Sequence, residues 1–282
     1  RSLDTTLARP PRSLDTTLAR QGRSLDSHAR STSTPGPPAP LARHPAGATR
    51  HDARARAIAA REAVKQALDN HTLGYTMALG TDELRAGISE LYQKWYGVDV
   101  PAARITVTQG ASGGFALAFL TAFDAGDRVA LATPGYPCYR NILSALDLEA
   151  VEIMTGPDTH YQPTLAALEA LEGLIDGLIL ASPSNPTGSM LSPEDFGAIS
   201  DWCQQKGVRL ISDEIYHGLT YGTPETTAAA INDDAFVINS FSKDFSMTGW
   251  RVGRMVVPEN MIRSPERLQG SMTICSPAAS PV

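Results

Sequence analysis

The sequence predicts an α/β fold in three layers, with a mainly parallel sheet between two layers of helices. Three observations predict it. From about Ala55 onward, short apolar runs rich in β-branched residues alternate with longer stretches whose apolar residues recur at helical spacing. Such runs, for example GLILA at 177–181, read as buried strands joined through right-handed βαβ units, with both sheet faces covered. Polar clusters follow the runs directly, and ligands in such sheets bind at the carboxyl ends of strands.

Each element has its own signal. The alanine-rich 55–68 carries helical periodicity, and 75–81 reads as a turn. A helix is expected over 82–96, with Asp82 and Glu83 in the first turn and Gly97 as its stop. The β-branched 104–108 is a strand, the glycine-rich 110–114 a turn, and 115–123 an apolar helix. A turn at 124–127 leads to a strand at 129–132, a helix at 139–146 and a strand at 150–154. In the second half, 165–171 is helical and 177–181 a strand. Ser192 and Pro193 supply an N-cap and a first helical residue for a helix running to about Lys206. Strands close the chain at 208–212, 236–240 and 252–257.

Composition narrows the class. The 282 residues, 42% hydrophobic, suffice for one large domain or two smaller ones. The net charge is −6; residues 1–50 hold eight Arg against three Asp, so the remainder is strongly acidic, which argues against a nucleic-acid partner. No apolar run reaches the length of a membrane span. Cys138, Cys203 and Cys275 show neither disulfide nor metal spacing, so a reducing, cytoplasmic setting and no metal are expected. RSLDTTLAR occurs at 1–9 and 12–20, RSLDSHAR follows at 23–30, and a Pro-, Ser- and Thr-rich stretch comes next. Residues 1–50 therefore read as a disordered low-complexity segment, and 51–282 as the folded domain. The Asp in each repeat argues against a transit peptide, leaving a low-complexity tail or a stretch read in the wrong frame.

The chemistry concentrates in NSFSKDFSMTGWRVG at 239–253. Lys243 closely follows an apolar strand, where poor solvation would favour the neutral amine that forms imines with aldehydes. Ser240, Ser242 and Arg251 offer hydroxyl and guanidinium donors for a phosphate nearby. An amine beside an anion cup suits a phosphorylated aldehyde, pyridoxal phosphate; a surface lysine in a polar loop is the plain alternative. TQGASGGF at 108–115 opens a helix and is either a tight turn or a phosphate site using backbone N–H groups and Ser112. In TPGYPCY, Tyr136 either stacks on a flat ring or packs at the rim. In SPSNPTG, Asn185 either belongs to an ordinary turn or donates its amide to a phenolic oxygen or carboxylate. In SDEIY, a buried Asp213 would need a cation such as a protonated pyridine nitrogen, with Tyr216 donating to the ring oxygen; the alternative is a capping Asp beside a packing Tyr. His217 reads as a solvated loop histidine.

Taken together, YTMALGTDELR, TQGASGGF, TPGYPCY, SPSNPTG, SDEIY and SFSKDFSMTGWRVG resemble the class I/II aminotransferases, pyridoxal-phosphate enzymes of fold type I, in order and spacing over about residues 55–282. The resemblance implies that Lys243 forms the Schiff base with the cofactor and moves the α-proton, and that Asp213 pairs with the pyridine nitrogen. It implies that Tyr216 and Asn185 contact the ring oxygen, Tyr136 stacks on the ring, and Ala111, Ser112, Ser240 and Arg251 hold the phosphate. It further implies a homodimer in which Tyr75 reaches the partner's phosphate, and amino-group transfer between an L-amino acid and a 2-oxo acid. A β-lyase on the same platform, a cofactor-binding regulator and an inactive fragment are the competing readings. Against the family pattern, residues 1–50 do not supply a clear Gly-x-Pro turn. The small domain and the arginine that grips the substrate carboxylate are expected beyond Val282.

Overall fold

The computed structural model describes residues 50–70 and 74–277. Apart from Arg50, the segment read as disordered lies outside the described residues. Among those described, seven strands form one sheet: β1 (Ile105–Gln109), β2 (Arg128–Thr133), β3 (Glu149–Met154), β4 (Gly177–Ala181), β5 (Arg209–Asp213), β6 (Phe236–Ser240) and β7 (Val252–Val256). Helices α1 (Arg50–Asn70) and α2 (Asp82–Tyr96) precede it. Helices α3 (Gly110–Ala122), α4 (Pro137–Ala145), α5 (Leu165–Glu169), α6 (Pro193–Lys206) and α7 (Arg263–Met272) are distributed along the rest. The strand order is β1-β7-β6-β5-β4-β2-β3. Neighbours from β6 across to β3 run parallel, and β7 runs antiparallel to both β6 and β1.

The reversal at β7 follows from its connection. A parallel return requires a long crossover, usually helical. The chain between β6 and β7 contains only a loop with one 3-10 turn at Thr248–Trp250. One end of that loop is the carboxyl end of β6 and the other is the start of β7, paired through Ser240 and Gly253. Residues 241–251 are thereby held at the same sheet edge as the carboxyl ends of the parallel strands.

Side chains alternate between the faces, as strand geometry requires. Leu178, Leu180, Leu210 and Val237 enter a core with Ile88, Tyr92, Phe196 and Ile199. Ile179, Ile211, Phe236 and Ile238 enter another with Phe115, Phe119, Leu131 and Leu143. Removing each such side chain from water contributes roughly 1.5–3 kcal/mol, so both helical layers are fastened by burial. The expected helix ends are present: Gly97 ends α2 at φ +69°, and Ser192 Oγ accepts from Asp195 N at 3.0 Å. Thr81, not read as a cap, also caps α2, its Oγ1 accepting from Leu84 N at 3.3 Å. No helix among the described residues is long and apolar enough to cross a membrane.

Two expectations need correction, and one element was not anticipated. The glycine-rich 110–114 is the first turn of α3, not a separate turn. Glycine is a poor helix former in isolation, but Gly114 lets the helix approach the sheet: a Cβ there would lie 3.3 Å from Ile238 and Thr108. β5 and β6 are joined without an α-helix, by a connection whose described regular element is a 3-10 turn at Ala228–Ala230. Finally, α7 had no sequence reading, because it is short and mostly polar. It is held to the edge of the sheet by Gln269 Nε2, which donates to Ala78 O and, at 2.7 Å, to Val107 O.

Candidate active site

A cavity of about 220 Å³ opens at the carboxyl edge of the sheet. Its wall takes Ala111, Ser112 and Phe115 from the start of α3, Tyr136 from the turn after β2, and Asn185 from the turn after β4. Asp213, Ile215 and Tyr216 come from the end of β5, and Ser242, Lys243, Thr248 and Arg251 from the β6–β7 loop. Residues far apart in the chain meet there because each follows, or begins, an element at one edge of the sheet.

Asp213 is the buried charge of the site, 4% exposed. Its Oδ1 accepts from Ile215 N at 3.1 Å, and its Oδ2 accepts from the Tyr139 hydroxyl. Burial pushes Asp213 up to about 6, while those two donors pull it the other way. Among the described residues no cation pairs with it. A buried carboxylate in that state suits a cationic ligand. Tyr216 is raised by burial and by the Asp213 charge, and an Asn185 side-chain hydrogen bond pulls it back. Lys243 Nζ stands 5.7 Å from the centroid of the Tyr216 ring.

An anion cup lies at the start of α3. Ala111 and Ser112 are in its first turn, where backbone N–H groups lack intrahelical partners. The Arg251 guanidinium is laid over Gly110, where any Cβ would overlap it, and its Nη1 donates to Thr248 O at 2.9 Å. Gly110 also has φ +69°, a conformation that favours glycine. Ser242 completes the wall.

Nine of the eleven anticipated residues line this cavity: Ala111, Ser112, Tyr136, Asn185, Asp213, Tyr216, Ser242, Lys243 and Arg251. Two do not. Ser240 is fully buried, and its Oγ accepts from Ser242 N at 3.1 Å. Tyr75 is 82% exposed and stands apart from the cavity wall. The poor solvation anticipated for Lys243 is also not found: the residue is exposed, because it lies past the end of β6 on the open side of the cavity. His217 is buried rather than solvated; its Nε2 is 2.9 Å from Ser182 O and its Nδ1 2.7 Å from Tyr96 Oη. Tyr139 was missed altogether. The available signal was its place three residues after Tyr136, on the same side of a helical turn.

Comparison with known proteins follows the same outline. The profile of the family described as aminotransferase class I and II matches residues 45–282. The chain belongs to the class I and II aminotransferases. It is 51% identical over 224 residues to the valine–pyruvate aminotransferase of Mycobacterium tuberculosis, covering 79% of this chain and 58% of that protein. It is 33% identical over 217 residues to the asparagine–oxo-acid transaminase of Streptococcus mutans, covering 75% of this chain and 55% of that one. The crystal structure of an aminotransferase from Mycobacterium tuberculosis superimposes with a TM-score of 0.77 at 51% identity, covering 78% of this chain and 61% of the other. Aspartate aminotransferase from Thermus thermophilus with maleate superimposes with a TM-score of 0.75 at 26% identity, covering 78% of this chain and 58% of that one. The chain thus spans little more than half the length of the curated relatives it matches.

Class I and II aminotransferases depend on pyridoxal phosphate. The residues present fit that group on three counts. The start of α3 is shaped for a phosphate, and Gly110 lets the Arg251 guanidinium lie against it. A desolvated acid without a cation faces the cavity. A primary amine stands at the same cavity, 5.7 Å from the Tyr216 ring.

Proposed function

We propose that this domain binds pyridoxal phosphate through Lys243 and transfers an amino group between an L-amino acid and a 2-oxo acid. The observation that carries the reading is the convergence of Asp213 and Lys243 on one cavity. The ends of β5 and β6, neighbouring parallel strands, supply them.

Each residue then has a physical task. The first turn of α3, with Ala111, Ser112, Ser242 and Arg251, holds the phosphate through N–H, hydroxyl and guanidinium donors. Ser240 contributes indirectly, by fixing Ser242 N. Tyr136 covers one face of the ring, and Asn185 and Tyr216 hold its oxygen. The Asp213 carboxylate keeps a proton on the ring nitrogen. When bound, the cofactor supplies an aldehyde for the amine and a ring that accepts electrons. Lys243 Nζ, at the cavity wall 5.7 Å from the Tyr216 ring, would be the amine that binds the aldehyde and the base that moves the substrate α-proton. Such positioned acid–base work is worth about 10²–10⁴-fold.

The relative named valine–pyruvate aminotransferase supports valine and pyruvate as the first donor and acceptor to assay. Tyr75, strongly exposed and apart from its own cavity, is available to a second copy, which supports a homodimer with shared sites. The three free cysteines support a cytoplasmic setting.

The test is borohydride reduction of the chain with pyridoxal phosphate, followed by peptide mass spectrometry. A single phosphopyridoxyl adduct on Lys243, abolished in Lys243→Ala, is expected. Labelling scattered over other lysines would sink the reading.

A further inference from the structure

We infer that Tyr139 is a positioning residue for the cofactor's ring nitrogen, acting through Asp213 without forming part of the cavity wall. The inference rests on the pyridoxal phosphate reading above and extends it to a residue outside the cavity.

Tyr139 lies in the first turn of α4 and is buried. Its ring meets Phe115 edge-on, with centroids 5.0 Å apart, and Tyr136 at 5.5 Å and 87°. A ring held from two sides has little rotamer freedom, so its hydroxyl is delivered to one place. That place is Asp213 Oδ2. Burial and the Asp213 charge raise Tyr139 well above its ordinary value, so the phenol keeps its proton and is the donor of the pair.

The consequence for Asp213 follows from counting its acceptors. An ionised carboxylate offers about four lone-pair sites. Ile215 N takes one on Oδ1 and Tyr139 takes one on Oδ2, which fixes the carboxylate plane and leaves the remaining sites for the ring. A hydrogen bond to an ionised acceptor is roughly twice as strong as one between neutral groups. Burial opposes ionisation of Asp213, and Tyr139 is the larger of the two hydrogen bonds opposing that effect. Tyr136 and Tyr216 also face this cluster, but burial raises both, so each is a neutral phenol that brings no positive charge to Asp213. Tyr139 also ties the wall that carries Tyr136 to the end of β5, so the ring face and the ring nitrogen are set by one contact.

The test compares two probes on the intact chain: pyridoxal phosphate, and its analogue with C–H in place of the ring nitrogen. The readout is the ratio of their dissociation constants in wild type and in Tyr139→Phe. The wild type is expected to prefer pyridoxal phosphate, and Tyr139→Phe to lose about tenfold of that preference, the equivalent of one unit in Asp213 proton affinity. The analogue, which cannot use Asp213 in this way, is expected to bind both proteins alike. An equal loss for both probes means that Tyr139 only shapes the cavity, and overturns the inference; so does no loss for either. Should Tyr139→Phe not fold, Tyr139→His, which keeps a ring and an N–H donor, carries the comparison. It is expected to keep the wild-type ratio, and a collapsed ratio there overturns the inference. A wild type that binds neither probe defeats the proposed function instead.

Discussion

At the end of β5 the two faces of the sheet each bury one carboxylate, from adjacent residues. Asp213 faces the cavity, and Glu214 faces the core built on α2 and α6. Burial raises both, Asp213 to about 6 and Glu214 to about 8. Glu214 Oε1 accepts from Ala228 N at 2.8 Å and Ser212 Oγ at 3.1 Å, and His217 Nδ1 lies 3.5 Å from its Oε2. Arg254, between the rings of Trp95 and Phe241, also draws Glu214 down, but less than burial raises it. Desolvation therefore does not mark a functional acid. What separates the pair is access: Asp213 has a cavity in front of it, and Glu214 has only protein.

Three experiments break or sharpen that contrast. The largest effect concerns pH. Glu214 is raised from 4.5 to about 8, so the folded chain binds a proton there that the unfolded chain has released. Its contribution is full below 4.5 and is lost as pH rises through 8, by at most about 5 kcal/mol. Denaturant unfolding of Glu214→Gln against wild type across that range is expected to show a flatter profile, with the variant the more stable above pH 8. Parallel profiles would mean that Glu214 stays ionised. Next comes Asp213→Asn. It is expected to weaken amino-transfer about 10²-fold or more, as loss of a preorganised electrostatic partner does. Glu214→Gln is expected to retain cofactor binding; equal losses of binding in the two variants would erase the distinction. Smallest is Ser192→Ala, which removes the cap of α6 on the Glu214 side. It is expected to cost about 1 kcal/mol of stability with cofactor affinity unchanged, because the cap lies apart from the cavity wall.

Much of the fold was legible because its signals are local. GLILA at 177–181 and FVINS at 236–240 coincide with β4 and β6, and Ser192-Pro193 starts α6 as read. The site was legible to the extent that its residues follow strands directly: Asp213, Asn185 and Lys243 needed only the expectation that strand ends share an edge. Tyr139 was not legible in that way, because its hydrogen-bond partner Asp213 lies 74 positions away. His217 was misread for the same reason: Tyr96 lies 121 positions from it. Ser240 and Ser242 show the limit within one motif. Their spacing places both near a phosphate, but the strand end turns Ser240 inward and presents Ser242.

By itself, the sequence determined the alternation of strands and helices, the caps, and the order of polar clusters along the chain, since periodicity and turn chemistry act over a few residues. Only the tertiary structure decided that β7 returns antiparallel and brings Arg251 back beside Gly110, that Lys243 stands exposed, and that Tyr139 donates to Asp213. Those facts depend on which elements pack together, and packing is decided by shape and burial between segments distant in the chain.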